Sequence, residues 1–376
     1  MTGGQSVFIR NLIPRLEADV KVVGTTTGSE VLGRWQRRRL HGVAYDFMPV
    51  ARMSAPGRAP VVPLRLTSFL GVARFRRRIL SAGDVMYVHS PEMGLPLGVG
   101  PFRKPIAVHI HGASNPLSVS RYAWARGDAL RRLYGLLHRR VIASAALVMS
   151  VDEKGLQLAR ACLTSKAGTR LALVPVGVDT SLFRPGDKAA ARASLGLSPS
   201  TRLLLFVGRL ERAKGTERLV EACAQLASRG EPATLALIGD GSQRRPMEVQ
   251  ARRAGMSDRL LFAGWVDHDD LPAWLQAADV LLLPSDDEGL PTVVIEALAC
   301  AVPVVATAVG GLPGLIEEGE NGLLLKERTA EALVVATASA LDWPWSPERL
   351  TASVEAYSAD RIAALVETLI GGLVRA

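Results

Sequence analysis

Short unbroken apolar runs recur along this chain, each followed by a stretch whose apolar positions fall three or four residues apart. In the first half the runs are 18–27 (ADVKVVGTTT), 84–90 (DVMYVHS), 105–112 (PIAVHIHG), 146–151 (ALVMSV) and a late one at 171–179 (LALVPVGVD). The clearest helical pattern between them is 122–145, where Trp124, Leu130, Leu133, Leu137 and Val141 keep near-helical spacing. The turn-rich 181–187 (SLFRPGD) precedes a second series: strands at 201–210, 233–241, 259–266 and 278–284, with helices at 215–228, 247–254 and 271–278 between them. Fully apolar strands alternating with amphipathic helices predict parallel sheets covered on both faces. No repeat or low-complexity tract interrupts the alternation.

The second series ends in the richest segment of the chain, 286–311 (DDEGLPTVVIEALACAVPVVATAVGG). Pro284 stops the strand before it, and the residues after Pro291 read as a helix with Pro at its start. Glu288 lies in the loop and Glu296, eight positions on, lies in the helix. A helix N-terminus offers free N–H groups and partial positive charge, which suit a phosphate, and a carboxylate beside it suits hydroxyls. A ligand carrying both is a sugar nucleotide. A solvated helix carboxylate and an ordinary loop charge would give the same spacing.

EGLPTVVIEALACAVPVVAT resembles the signature of retaining glycosyltransferases of family four, a Glu pair followed by a small-residue helix and a PVV strand. The resemblance runs along nearly the whole chain and is most specific over 201–325. It implies a GT-B fold, two Rossmann-like doubly wound parallel-sheet domains facing across a cleft. The expected division is an acceptor-side domain at 1–182, a nucleotide-sugar domain at 183–355, and a helix at 356–376 crossing back to the first. It also implies that Glu288 is the sugar-side residue and Glu296 the ribose-side one. Pro291 stands where the family often has Gly and has no N–H to donate, so backbone contacts there fall to Gly289, Leu290 or Thr292.

In GRLERAKG, Arg209 ends a buried strand and Lys214 follows five residues later, before a glycine and a helix. Both cations can converge on one site, Arg as a bidentate partner and Lys as a point charge. Family members place their diphosphate pair at these positions, where fixed cations stabilise the charge that grows on a departing diphosphate. Gly239 and Gly241, and the turn at 264–266, resemble loops that wall the nucleotide. His111, in HIHGAS, ends a strand, and the resemblance makes it the histidine that touches the donor sugar; His109 shares its strand face and reads as packing, and His89 is another strand-end residue. Gly3 and Gly4 read as a loop allowing close approach to acceptor or diphosphate. The strand that precedes this loop in family members has no counterpart after Met1, so a start assigned too late or a truncated product is expected. Val176 occupies the position, in VPVGVD, where the family commonly has Asn.

The implied reaction is retaining transfer of a sugar from a nucleoside diphosphate sugar to a glycan, lipid-linked or small-molecule acceptor, in cell-surface polysaccharide or glycolipid synthesis. No cofactor or metal is expected, and no ligand cluster is evident in the sequence. Other readings are a truncated or non-catalytic binder of nucleotide sugar, and an epimerase or hydrolase on the same fold. A nicotinamide oxidoreductase lacks its GxGxxG after the first strand.

Charge adds a second signal. The net charge is +9, yet residues 1–184 carry 27 basic against 10 acidic side chains, and the rest 18 against 26. The clusters Arg37–Arg38–Arg39, Arg76–Arg77–Arg78, Arg131–Arg132 and Arg139–Arg140, several in segments with apolar residues at helical spacing, suit contact with anionic lipid. They lack the interleaved aromatics of a nucleic-acid surface. Three dispersed cysteines argue against disulfides, no signal peptide is evident, and the longest apolar stretch is broken by Glu296 and Pro303. A cytoplasmic protein, peripheral on the inner face of a membrane, is the resulting expectation.

Overall fold

The computed structural model describes residues 4–53, 62–98, 104–112, 127–163 and 168–374. The chain forms two compact units, Met1–Gly177 with Ala359–Ala376, and Val178–Ser358.

The second unit is built on six parallel strands: β8 (Leu203–Val207), β9 (Thr234–Ile238), β10 (Leu260–Gly264), β11 (Val280–Leu283), β12 (Val304–Thr307) and β13 (Gly322–Leu325). Their order is β10-β9-β8-β11-β12-β13, so the chain winds outward from β8 in one direction and from β11 in the other. The reversal follows from burial: β8, β9, β11 and β12 are almost wholly apolar and buried, and only interior positions flanked by helices suit them. Helices Thr216–Ser228 and Ala330–Asp342 pack together, as do Lys188–Ser194 and Leu271–Ala277. One charge is buried in this packing. Arg192, 8% exposed, bonds to the carbonyls of Ala277 (3.1 Å) and Pro199 (2.7 Å) and to Asp279 (2.6 Å), which satisfies a guanidinium that burial would otherwise penalise.

The first unit carries its strands in two sheets. Strands β4 (Met86–Val88), β5 (Ile106–Ile110), β6 (Leu147–Ser150) and β7 (Arg170–Leu173) are parallel, in chain order. The other sheet is β1 (Lys21–Thr26), β3 (Val43–Arg52) and β2 (Gln36–Leu40), in which β1 and β3 are parallel and β2 joins β3 in an antiparallel hairpin. The two-residue loop His41-Gly42 has φ of 46° and 82°, the backbone a right-twisting hairpin needs. The Arg37–Arg39 run therefore lies on a strand and not with the basic helices. Arg37 bonds to Asp46 at 3.1 Å, and Arg38 pairs with Glu30 and lies over the Phe47 ring at 3.8 Å. One core joins both sheets, through Met48 and Val50 of β3, Val72 and Ile79 of the helix Leu64–Leu80, and Val88 and Val108.

The final helix, Ala359–Val374, belongs to this unit. Arg15 bonds to Asp360 at 2.9 Å, and Glu367 accepts the backbone N–H groups of Glu17 (2.5 Å) and Ala18 (3.1 Å). All three cysteines are free.

Candidate functional site

In an open α/β sheet, ligands bind beyond the carboxyl ends of the strands where the winding reverses. In the second unit that point lies between β8 and β11, which pair side by side. The loop after β8 carries Arg209 and Lys214, and the loop after β11 carries Ser285 and Glu288. Lys214 Nζ lies 2.6 Å from Glu288 Oε1, and the same oxygen accepts the Ser285 hydroxyl at 2.6 Å. Glu288 is only 8% exposed and Lys214 23%. A carboxylate this deep requires a partner, and it has a cation and a hydroxyl.

The backbone forces that meeting. Asp286 N–H donates to Ala213 O at 2.8 Å, and Arg218 bonds to both Pro284 O and Asp286 at 2.6 Å, lacing the two loops together. Gly215, at φ 68°, turns the chain into helix Thr216–Ser228, and a Cβ on it would stand 2.0 Å from Pro284 O. Only glycine lets the Lys214 turn approach the β11 exit this closely. Gly310, at φ 59°, does the same from β12: a Cβ there would meet Glu288 O at 1.9 Å. Arg209 is exposed, and its side chain has no ion pair with another described residue.

Glu288, Gly289, Leu290 and Thr292 lie along the entry to helix Thr292–Ala299, with Pro291 at its N-cap. Glu296 sits in that helix, 3% exposed, and its Oε1 lies 2.8 Å from His268 Nε2. His268 follows β10 in a turn and packs against Phe183 with ring centroids 5.0 Å apart. Gly239 N–H donates to Gly264 O at 2.7 Å and Leu210 N–H to Asp240 O at 3.0 Å, and a Cβ on Gly241 would stand 2.3 Å from Leu210 O. Both expected carboxylates are thus buried and partnered, which removes the reading of either as a solvated charge. Ser285 and His268 are the two contacts that sequence reasoning missed. Nothing in LLLPS or VDHDD has a spacing that identifies them.

His111 belongs to the first unit, where it follows β5. Val88 pairs in register with Val108, so one residue further on His89 comes opposite His109, and His111 reaches the same cluster. His89 Nδ1 and His111 Nε2 are 2.9 Å apart; His109 shares a 2.6 Å hydrogen bond with Tyr87 and lies 3.0 Å from Val174 O. The Phe8 ring closes over all three. Burial lowers the pKa of each, that of His111 to about 4 and those of His89 and His109 well below the usual histidine range. Neutral imidazoles exchange hydrogen bonds without bringing charge. No ligand cluster is evident in the sequence, yet parallel pairing gathers this one, with nitrogens within 4.8 Å of one another. Tyr87 and Val174 engage both nitrogens of His109, and His89 Nδ1 and His111 Nε2 engage each other. Gly4 opens the helix Gly4–Leu12 that carries Phe8, and Gly3 lies outside the described residues.

Comparison with known proteins adds the following. The profile of the family "Glycosyl transferases group 1" matches residues 187–357. D-inositol 3-phosphate glycosyltransferase of Segniliparus rotundus is 30% identical over 373 residues, covering 93% of this chain and 78% of that protein. D-inositol 3-phosphate glycosyltransferase 2 of Catenulispora acidiphila is 34% identical over 274 residues, 70% of this chain. The match spans 61% of that relative's length, and another spans 54% of a relative from Acidothermus cellulolyticus. Among solved structures, sucrose-phosphate synthase of Thermosynechococcus elongatus superposes with a TM-score of 0.81 at 25% identity, covering 100% of this chain and 94% of the other. Anabaena HepE, solved in complex with UDP and glucose, gives 0.74 at 18% identity, covering 98% and 96%. These neighbours share the mixed α/β GT-B fold expected for the chain.

Proposed function

Because the chain belongs to the group 1 glycosyl transferases, we propose that it moves a sugar from a nucleoside diphosphate sugar to an acceptor hydroxyl, with retention at the anomeric carbon. The observation that carries this reading is the Lys214–Glu288–Ser285 cluster at the reversal point of the six-stranded sheet, with Arg209 on the same loop as Lys214.

In the proposed mechanism the diphosphate lies against Arg209 and Lys214, and the N–H groups of Gly289, Leu290 and Thr292 complete its cradle. Glu288 orients the Lys214 ammonium and accepts from the sugar's hydroxyls, and Glu296 accepts from the ribose. The bond from the anomeric carbon to the phosphate oxygen breaks, and its electron pair leaves with the diphosphate. The acceptor oxygen bonds to the same face of the carbon, and its proton passes to the departing phosphate oxygen. Retaining hydrolases use a carboxylate nucleophile; this path needs none. Cations fixed in place before the bond breaks stabilise the growing charge at no further cost in reorganisation. His111, neutral, serves as a hydrogen-bonding partner for the donor sugar. Gly239 and Gly241 shape the nucleotide wall, and the reaction runs without a metal or cofactor.

The named relatives are D-inositol 3-phosphate glycosyltransferases, so a small phosphorylated polyol is the first acceptor class to try, beside glycan and lipid-linked acceptors. The lipid-linked class, and with it a cytoplasmic role in surface polysaccharide or glycolipid synthesis, has one structural support. Helix Asp128–Ser144 exposes Leu130, Leu133, Leu136 and Leu137 among Arg131, Arg132, Arg139 and Arg140, which suits insertion at an anionic membrane surface. No helix among the described residues is long and apolar enough to cross a membrane.

The test is a thermal-shift screen against nucleoside diphosphates and their sugar conjugates, followed by transfer assays with the stabilising donor. Stabilisation by a donor with transfer to an acceptor supports the reading. Release of free or epimerised sugar without acceptor would make the protein a hydrolase or epimerase, and donor binding with no turnover would make it a binder. Sedimentation with phosphatidylglycerol vesicles, lost in Leu133→Ser/Leu136→Ser, tests the membrane contact.

A further inference from the structure

We infer that His268 is the positioning residue for the ribose-side carboxylate: its imidazole holds Glu296 in the orientation that accepts ribose hydroxyls. The inference rests on the proposed role of Glu296. It goes beyond that role because no motif includes His268.

The geometry is specific. The carboxylate can only accept, so at 2.8 Å His268 Nε2 is the donor to Glu296 Oε1. His268 is 8% exposed and Glu296 3%, so the bond lies in a region where a lost partner is not replaced by bulk water. The bond engages one of the two carboxylate oxygens. A carboxylate offers about four lone-pair sites, so acceptor capacity remains for a ribose diol. The Phe183 ring packs against the imidazole, with centroids 5.0 Å apart. His268 Nδ1 is buried with no hydrogen-bond partner among the described residues. An N–H left bare there would be costly, so the donor is best placed on Nε2, pointing at Glu296.

The two residues come from different elements. Glu296 is on the helix after β11, and His268 is in the turn after β10, at one end of the strand order. A helix residue whose side chain must accept two hydroxyls needs its terminal torsion fixed, since that torsion is broad for glutamate. The single hydrogen bond from His268 fixes it. Lysine or arginine in that place would compete with the ribose for the carboxylate.

The test measures ribose recognition apart from phosphate binding. UDP, GDP and ADP are titrated by calorimetry into the full chain, and the tightest is compared with its 2′,3′-dideoxy counterpart and with inorganic pyrophosphate. The wild type is expected to prefer the ribose form by about 10- to 100-fold, the value of one to two hydrogen bonds to a charged acceptor. His268→Phe keeps a ring against Phe183 and removes the donor, and the preference is expected to fall by about tenfold. Pyrophosphate affinity should stay within about twofold, which a general loss of structure would not allow. His268→Gln returns a neutral donor and should restore most of the preference. Retention of the full preference in His268→Phe, while Glu296→Gln loses it, overturns the inference and leaves the ribose role of Glu296 standing. No preference in the wild type, or none lost in Glu296→Gln, overturns both.

Discussion

Acid should loosen the first unit well above the range where carboxylates protonate. A histidine held neutral by burial takes up a proton readily once the chain unfolds, so below its ordinary value of 6.5 the unfolded state binds more protons and stability falls with pH. For His111, whose value drops to about 4, the loss begins near pH 6.5 and is complete below pH 4. Each pKa unit corresponds to about 1.4 kcal/mol, so His111 alone removes about 2 kcal/mol by pH 5 and about 3 kcal/mol at the limit. His89 and His109, lowered by burial and by their neighbouring histidines, and His138, lowered by burial, add to this with the same sign. Such a sum is a large fraction of the stability of an ordinary domain. Urea melts from pH 7.5 to pH 5, read by hydrogen exchange in peptides covering β4 and β5, isolate this unit from the other. His111→Asn removes one titrating group and should flatten the profile by about 2 kcal/mol over that range. Protection in β4 and β5 that does not change between pH 7 and pH 5 would refute the reasoning, as would an equally steep profile in His111→Asn.

Three further outcomes follow from the second unit. Lys214→Ala and Glu288→Ala should each lower turnover by about 10²-fold or more in a transfer assay, the usual consequence of removing a transition-state electrostatic contact; unchanged transfer in both would remove these residues from the site. Arg192→Met strips Asp279 of its buried cation, leaving the more exposed Lys188 at 3.0 Å and the Leu203 N–H at 2.7 Å, and should lower unfolding free energy by about 3 kcal/mol in urea melts. Gly215→Ala must move either its own turn or the β11 exit, because the Cβ would lie 2.0 Å from Pro284 O at a φ of 68°. It should cost about 1–3 kcal/mol and reduce turnover along with stability, as Lys214 is the neighbour it displaces.

The apolar runs at 201–210 and 278–284 are legible as strands because a segment buried on both faces tolerates no polar position, and the Glu pair is legible because its loop-to-helix boundary carries Pro at the start. The cations of GRLERAKG follow from the same local grammar of strand, turn and helix. Local pattern gives Arg37–Arg39 no element, however, because a charged run has no period of its own, and the hairpin that seats it depends on two positive φ values at His41 and Gly42.

Sequence alone therefore determined which residue types stand at strand ends, since burial and backbone geometry act over a few neighbours. Which of those ends meet was decided by the tertiary structure. The reversal of winding between β8 and β11 sets Lys214 against Glu288, 74 residues apart, and brings His268 to Glu296 across 28. Parallel pairing of β4 and β5 likewise assembles three histidines whose neutrality is a property of the packing around them. A buried charge or imidazole takes its chemistry from its nearest partners, and only the fold selects those partners.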